Sequence, residues 1–188
     1  MRLGVFGGTF DPPHLAHLIA AQELHTQLGL DRLLLMVAAV PPHKLDRDVS
    51  PGPVRLAMVR AAIDGDGRFE ASGLELERGG PSFTVDTLQA LRTGYPEAEL
   101  FLAIGADQAA ELDSWKSPDQ IASLATIVAF ARSGRPVPET GHRLRRVEVP
   151  RMELSSTDIR RRVGAGEPYR YLVPDAVAGI IEARGLYQ

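Results

Sequence analysis

The sequence predicts an α/β fold: an open, doubly wound, mainly parallel sheet with helices on both faces. Three observations predict it. Strand-like and helix-like segments alternate along all 188 residues at the spacing of βαβ units. The run over residues 32–38 is apolar almost throughout, as in strands covered on both faces. Three apolar runs end directly in glycine or polar residues, Gly7-Gly8-Thr9, Gly105-Ala106-Asp107 and Arg132-Ser133-Gly134, and a parallel sheet gathers such ends on one rim.

The elements follow in order. Residues 2–6 form a first strand, and 15–28 a helix with Leu15, Leu18, Ile19, Leu24 and Leu28 apolar. After strand 32–38 come a proline-rich loop (Pro41, Pro42, Pro51, Pro53), a helix at about 53–64 and a strand-like run over 69–76. Residues 84–93 read as a helix, 99–104 and 127–131 as strands, and 145–149 as a short strand with polar flanks. Helices follow near 156–163 and 174–184. This Rossmann-like arrangement is expected to be one domain, 1–188, whose C-terminal helical part from about 155 packs on the sheet. No internal repeat or low-complexity tract appears, and the loops at 41–52 and 133–143 are the segments expected to move.

Composition narrows the function classes. Apolar content of 44% and charged content of 24% are ordinary globular values. With no cysteine, neither a disulfide framework nor a thiolate metal site can form, and a cytoplasmic setting is the simplest expectation. The N-terminus reaches glycines and Asp11-Pro12-Pro13 too soon for a signal-peptide core, and no apolar run is long enough to span a bilayer. A net charge of −3 argues against a protein that coats a nucleic-acid polymer. Yet residues 132–162 hold nine arginines against four acids. A locally basic segment on an acidic chain suits a small anionic ligand.

Two constellations carry chemistry. In Gly7-Gly8-Thr9-Phe10-Asp11-Pro12-Pro13-His14-Leu15-Ala16-His17 a strand enters a glycine turn and a helix opens with two histidines. Glycines let backbone approach a phosphate, and the helix start presents N–H groups and a positive dipole end. The pattern is neither a dinucleotide fingerprint nor a P-loop, which ends in Gly-Lys-Ser/Thr. His14 and His17 share a helix face and could donate to a triphosphate; a packing role and a zinc pair remain open, although no clear third ligand accompanies them. The second constellation is Leu154-Ser155-Ser156-Thr157-Asp158-Ile159-Arg160-Arg161-Arg162. Ser155 with Asp158 resembles a capping box, but arginines in the first turns oppose the helix dipole unless an anion binds there. Arg160, three residues from Thr157, is the arginine expected to face that anion.

These two stretches resemble the G-x-F-D-P-x-H-x-G-H and I-S-S-T-x-I-R signatures of nucleotidylyltransferases, and within that superfamily the bacterial nicotinate mononucleotide adenylyltransferases. Pro42-His43-Lys44, Thr84-Val85-Asp86-Thr87-Leu88, Gly105-Ala106-Asp107, Trp115, Arg132 and the C-terminal stretch through Leu186-Tyr187 support the resemblance over nearly the full length. Ala16 departs from it, standing where the family usually has glycine.

The resemblance implies transfer of AMP from ATP to nicotinate mononucleotide, with Mg²⁺ carried mainly on substrate phosphates and no dedicated metal site. It implies His14, His17, Lys44 and Arg160 as catalytic residues. ATP would lie against Gly7, Gly8, Thr9, Phe10, Gly105, Asp107, Arg132, Ser155, Ser156 and Thr157. The acceptor would lie against Thr84, Val85, Trp115 and Lys116. Trp115 would stack on the pyridinium ring or serve as packing, Thr84 would bind the carboxylate or cap a helix, and Arg132 would meet the adenosine or solvent. Glu111 and Asp113 are expected to be solvated, and His25 and His142 to lie on the surface. No membrane or polymer partner is implied, and an oligomer is compatible.

Phosphopantetheine adenylyltransferases are a rival reading, but they usually carry Thr at the place of His14 and are shorter. A nicotinamide mononucleotide acceptor is another. A non-catalytic nucleotide-binding regulator would not need both histidines, Lys44 and the Ser-Thr-Arg helix together.

Overall fold

The computed structural model describes residues 1–40, 49–132 and 140–188, with side chains for all of these but Arg132. Six strands run β1 (Arg2–Gly8), β2 (Arg32–Val37), β3 (Phe69–Ser72), β4 (Glu99–Gly105), β5 (Thr126–Arg132) and β6 (Arg145–Val149). They form one sheet in the order β3-β2-β1-β4-β5-β6, and all five pairings are parallel. Between them lie helices α1 (Leu15–Leu28), α2 (Gly52–Ala62), α3 (Leu74–Arg78), α4 (Thr84–Gly94), α5 (Ala106–Ala110) and α6 (Pro118–Leu124). Helices α7 (Ser156–Gly164) and α8 (Asp175–Ala183) follow β6. Short 3₁₀ turns occupy Leu112–Ser114 and Arg170–Leu172.

Strand alternation divides the core. Leu3, Val5, Leu34, Met36, Leu100, Leu102 and Ile104 face α4 to α6, packing with Val85, Leu88, Ala109 and Ile121. Phe6, Leu33, Phe101, Ala103 and Val147 face the other way, against Ala20, Ala21, Leu24 and Leu28 of α1. Adjacent residues thus enter opposite cores, which is why the central strands read as unbroken apolar runs. Gly29 ends α1 in the left-handed region at φ 61°, a conformation in which glycine carries no Cβ penalty.

Three sequence expectations are corrected. The run 69–76 is not one strand: β3 stops at Ser72, Gly73 caps α3, and the Leu74-Glu75-Leu76 alternation belongs to a helix. Residues 106–124, left without elements, hold α5, a 3₁₀ turn and α6, all too short for a clear period. The C-terminal helices sit on other helices rather than on the strands: Ile159, Val177, Ala178 and Ile181 pack with Met58 of α2, and Leu15 and Ala16 of α1 adjoin them. The predicted mobile loops fall largely outside the described residues.

Ile181, 1% exposed, anchors α8 in that cluster. Ile181→Ala is expected to cost about 2–5 kcal/mol of unfolding free energy, read as a lower urea midpoint with an unchanged m-value.

Candidate active site

Because every strand is parallel, their carboxyl ends share one rim. The chain winds to one side of β1 through β2 and β3, then resumes on the other side at β4. A crevice must open where the winding reverses. A cavity of about 820 Å³ lies there, lined by the ends of β1, β4 and β5, the starts of α1 and α7, and the loop before α4. The expected common rim is therefore present, with Gly7, Gly8, Gly105 and Ala131 all on the cavity wall.

The end of β1 shows why glycines stand there. A Cβ on Gly7 would meet no protein atom within 4 Å, so the missing side chain leaves open space on the cavity side. A Cβ on Gly8 would come within 2.8 Å of the Phe10 ring. Phe10 itself is 1% exposed, with its backbone left-handed at φ 51°, and its ring stands edge-on to Phe6 and His17. Burial of the ring holds a strained backbone in place. Phe10 can offer a ligand only its backbone, while Thr9 lines the cavity.

His14 is the N-cap of α1 and 5% exposed. Its backbone N–H donates to Nδ1 of His17 at 3.2 Å, so the proton of a neutral His17 ring sits on Nε2. The two imidazoles stack with centroids 3.7 Å apart, and both line the cavity.

At α7 the structure shows the helix cap. Ser155 is the N-cap, its Oγ accepting from the Asp158 N–H at 3.1 Å. Ser156 Oγ donates to the Pro12 carbonyl at 2.9 Å, and Arg160 Nη1 donates to the Asp11 carbonyl at 2.8 Å, binding α7 to the turn after β1. Arg160 Nη2 also reaches Thr157 Oγ1 at 3.3 Å. Arg161 and Arg162 do not oppose the helix dipole, contrary to the sequence expectation. The helix has only nine residues, so Arg161 and Arg162 fall in its last turn, where cations are favourable. They pair with Asp158 and Glu167, and these partners, Arg162 first, hold the Asp158 carboxyl below its usual range. Asp158 therefore does not complete a capping box.

At the other end, Thr84, Trp115 and Lys116 line the cavity. Phe83, not Thr84, caps α4, so the capping reading of Thr84 is withdrawn. Val85 is 1% exposed in the core and off the cavity wall, so its side chain cannot contact a ligand there. Trp115 packs on the core and lines the cavity at once, and its buried Nε1 finds no acceptor among the described residues. Lys116 is already engaged by Asp86 at 3.0 Å and by the Phe83 ring at 4.7 Å. Asp107 and Glu111 line the β4 side, exposed.

Lys44 lies outside the described residues, as does the Arg132 side chain. His142 is not a free surface residue: its ring bridges Asp113 at 2.9 Å and Asp119 at 3.1 Å with 12% of the side chain exposed. Asp113 is accordingly not merely solvated. His25 is half-buried, edge-on to Phe69.

Sequence reasoning missed the polar struts beneath the site. Arg55 is buried, donating to the carbonyls of Ser50, Thr9, Ala38 and Ala39. Burial lowers its guanidinium pKa, and the neighbouring Asp11 opposes this. A signal existed: Arg55 shares the i, i+3, i+4 stripe of Met58 and Val59, a charge on a buried helix face. Asp11, 2% exposed, accepts from the Tyr187 hydroxyl at 2.6 Å and from the Ser50 N–H at 3.1 Å. Glu75, also buried, accepts from Thr87 Oγ1 at 2.6 Å on the cavity wall.

Burial, then the bond to Asp11, pushes the Tyr187 phenol well above its usual value of 10.0. Above about pH 10 an unfolded chain loses this proton while the folded chain keeps it. Tyr187 therefore stabilises the fold fully below that pH and less as pH rises, by up to about 1.4 kcal/mol per unit. Urea midpoints from pH 9 to 11 are expected to fall more steeply in the parent than in Tyr187→Phe. Parallel slopes would contradict the assignment.

Comparison with known proteins agrees with this geometry. The family model described as cytidylyltransferase-like matches residues 5–162. A Thermus thermophilus protein named probable nicotinate-nucleotide adenylyltransferase is 47% identical over 188 residues, all of both chains. The Bacillus subtilis nicotinate-nucleotide adenylyltransferase is 41% identical over 187 residues, covering 100% of this chain and 98% of its own. A Plasmodium falciparum nicotinic acid mononucleotide adenylyltransferase complexed with NaAD shares the fold at a TM-score of 0.81 and 15% identity, over 99% and 97% of the two chains. Matched end to end at these identities, the chain belongs to the nicotinate-nucleotide adenylyltransferase family.

Proposed function

We propose that this chain transfers AMP from ATP to nicotinate mononucleotide, forming nicotinate adenine dinucleotide and pyrophosphate. The observation that carries the reading is a single cavity at the reversal point of the sheet. Its wall brings the stacked His14–His17 pair, Arg160 and the start of α7 together with Trp115 and Thr84. A triphosphate needs the first group and a pyridine mononucleotide the second.

The chemistry asks for no protein nucleophile. An oxygen of the mononucleotide 5′-phosphate attacks the α-phosphorus, a new P–O bond forms, and the α–β bridging bond breaks in line to release pyrophosphate. The protein holds both phosphates in register and stabilises the charge that builds during transfer. His17, with its proton on Nε2, is a donor to the triphosphate, and His14 and Arg160 stand beside it. Ser155, Ser156 and Thr157 place the α7 start against the same phosphates, and the backbone of Gly7, Gly8, Thr9 and Phe10 meets the two substrates where they cross. Gly105, Asp107 and Arg132 take the adenosine side. Lys44, outside the described residues, is assigned to the pyrophosphate.

On the acceptor side Trp115 offers a face for the pyridinium ring, worth about 0.5–2 kcal/mol. Its orphaned N–H favours a polar ligand nearby. Thr84 and adjacent backbone, including that of Val85, take the nicotinate carboxylate, with Lys116 at the edge. ATP enters with Mg²⁺ on its phosphates, as part of the substrate. Among the described residues no group of three His, Asp or Glu side chains could hold a metal ion. Likewise, no described helix is long and apolar enough to cross a membrane.

Pyrophosphate release from ATP is expected only with nicotinate mononucleotide and Mg²⁺ present. Turnover with phosphopantetheine instead, or with no mononucleotide at all, would sink the reading. His17→Ala is expected to lower kcat by about 10²-fold or more, with Tm lowered by only a few degrees from the lost contact at the start of α1. Collapse of Tm with kcat per folded molecule intact would make His17 structural.

A further inference from the structure

The phosphate-side turn is tied to a part of the chain far from it in sequence. Tyr187, one residue from the C-terminus, donates its hydroxyl to Asp11 Oδ1 at 2.6 Å. The other oxygen of that buried carboxylate accepts from the Ser50 N–H, and the Asp11 carbonyl accepts from Arg160. Asp11 thus joins three walls of the cavity: the β1–α1 turn, the start of α7 and the segment leading into α2. Tyr187 is itself unusual. Its backbone is left-handed at φ 66°, and its carbonyl passes so close to α7 that a Cβ on Gly164 would come within 3.1 Å of it. A non-glycine residue in that conformation persists only where its surroundings hold it.

We propose that Tyr187 is a positioning residue for adenylyl transfer, acting through Asp11 to set the turn that carries Phe10, His14 and the Arg160 contact. The hydroxyl touches no substrate. It fixes the Asp11 carboxylate, the carboxylate fixes the turn, and the turn determines where the imidazoles and guanidinium meet the phosphates. Small displacements of such groups cost rate more than ground-state binding, because alignment matters most at the transition state. The C-terminal segment is on this account a working part of the site as well as a packing element. The inference rests on the adenylyl-transfer reading.

Tyr187→Phe keeps the ring and removes the hydroxyl, with its bond to Asp11 and its contacts to Ser50 and Met58 Sδ. Its kcat with ATP and nicotinate mononucleotide is expected to fall about tenfold, with KM for both substrates within about twofold of the parent. In an Asp11→Asn background the same substitution is expected to change kcat by less than about twofold, because the carboxylate it acts through is already altered. Leu91→Ala, which loosens α4 in a core cluster that does not include Tyr187, is the control: it lowers stability but keeps kcat per folded molecule. An unchanged kcat in Tyr187→Phe, or a full tenfold effect in the Asp11→Asn background, overturns the role of Tyr187 and leaves the enzyme assignment standing. Absence of turnover by the parent in the same assay takes both down.

Discussion

The site depends on the reversal of winding at β1. With β2 on one side and β4 on the other, both parallel to it, the segments leaving β1 and β4 must depart over opposite faces of the sheet. Gly7, near the end of β1, keeps the space above that end free of a side chain, and α1 and α7 border it. Helices, histidines and arginine reach the cavity because of this topology.

Keeping the crevice open has an energetic cost, met by buried polar groups. Arg55 and Asp11 are charged and almost wholly removed from water, a state that penalises unpaired ions by several kcal/mol each. Arg55 offsets this with four backbone carbonyls, and Asp11 with a phenol and a backbone N–H. Each acceptor or donor lies outside the helices and strands. The buried charges therefore take over in the loops what ladder hydrogen bonds do in the strands, holding backbone in defined positions.

The stacked imidazoles show how that rigidity reaches the cavity wall. His17 is oriented by the backbone of His14, and the edge of Phe10 packs against its ring. A donor fixed in advance needs no reorganisation when charge develops, which is where such groups contribute most to rate. The left-handed Phe10 and the orphaned Trp115 N–H are unfavourable in isolation. Both lie at the site and are held there by packing, as local strain at functional positions commonly is.

The sequence by itself determined the strands, most helices, the common rim and the two signature stretches, because each rests on local periodicity or on residues adjacent in the chain. Unbroken apolar runs at β2 and β4 revealed a sheet covered on both faces. The histidine pair and the Ser-Ser-Thr-x-Ile-Arg stretch carried their own chemistry. Helices α5 and α6 were illegible because five and seven residues give too few turns for a period, and α3 because Gly73 split what looked like one strand. Only the tertiary structure decided that Val85 and the Phe10 ring are core, that Lys116 is held by Asp86, and that Asp11 meets Tyr187 across 176 residues. Those are long-range contacts, created when the parallel sheet brings distant segments together, and no local pattern encodes them.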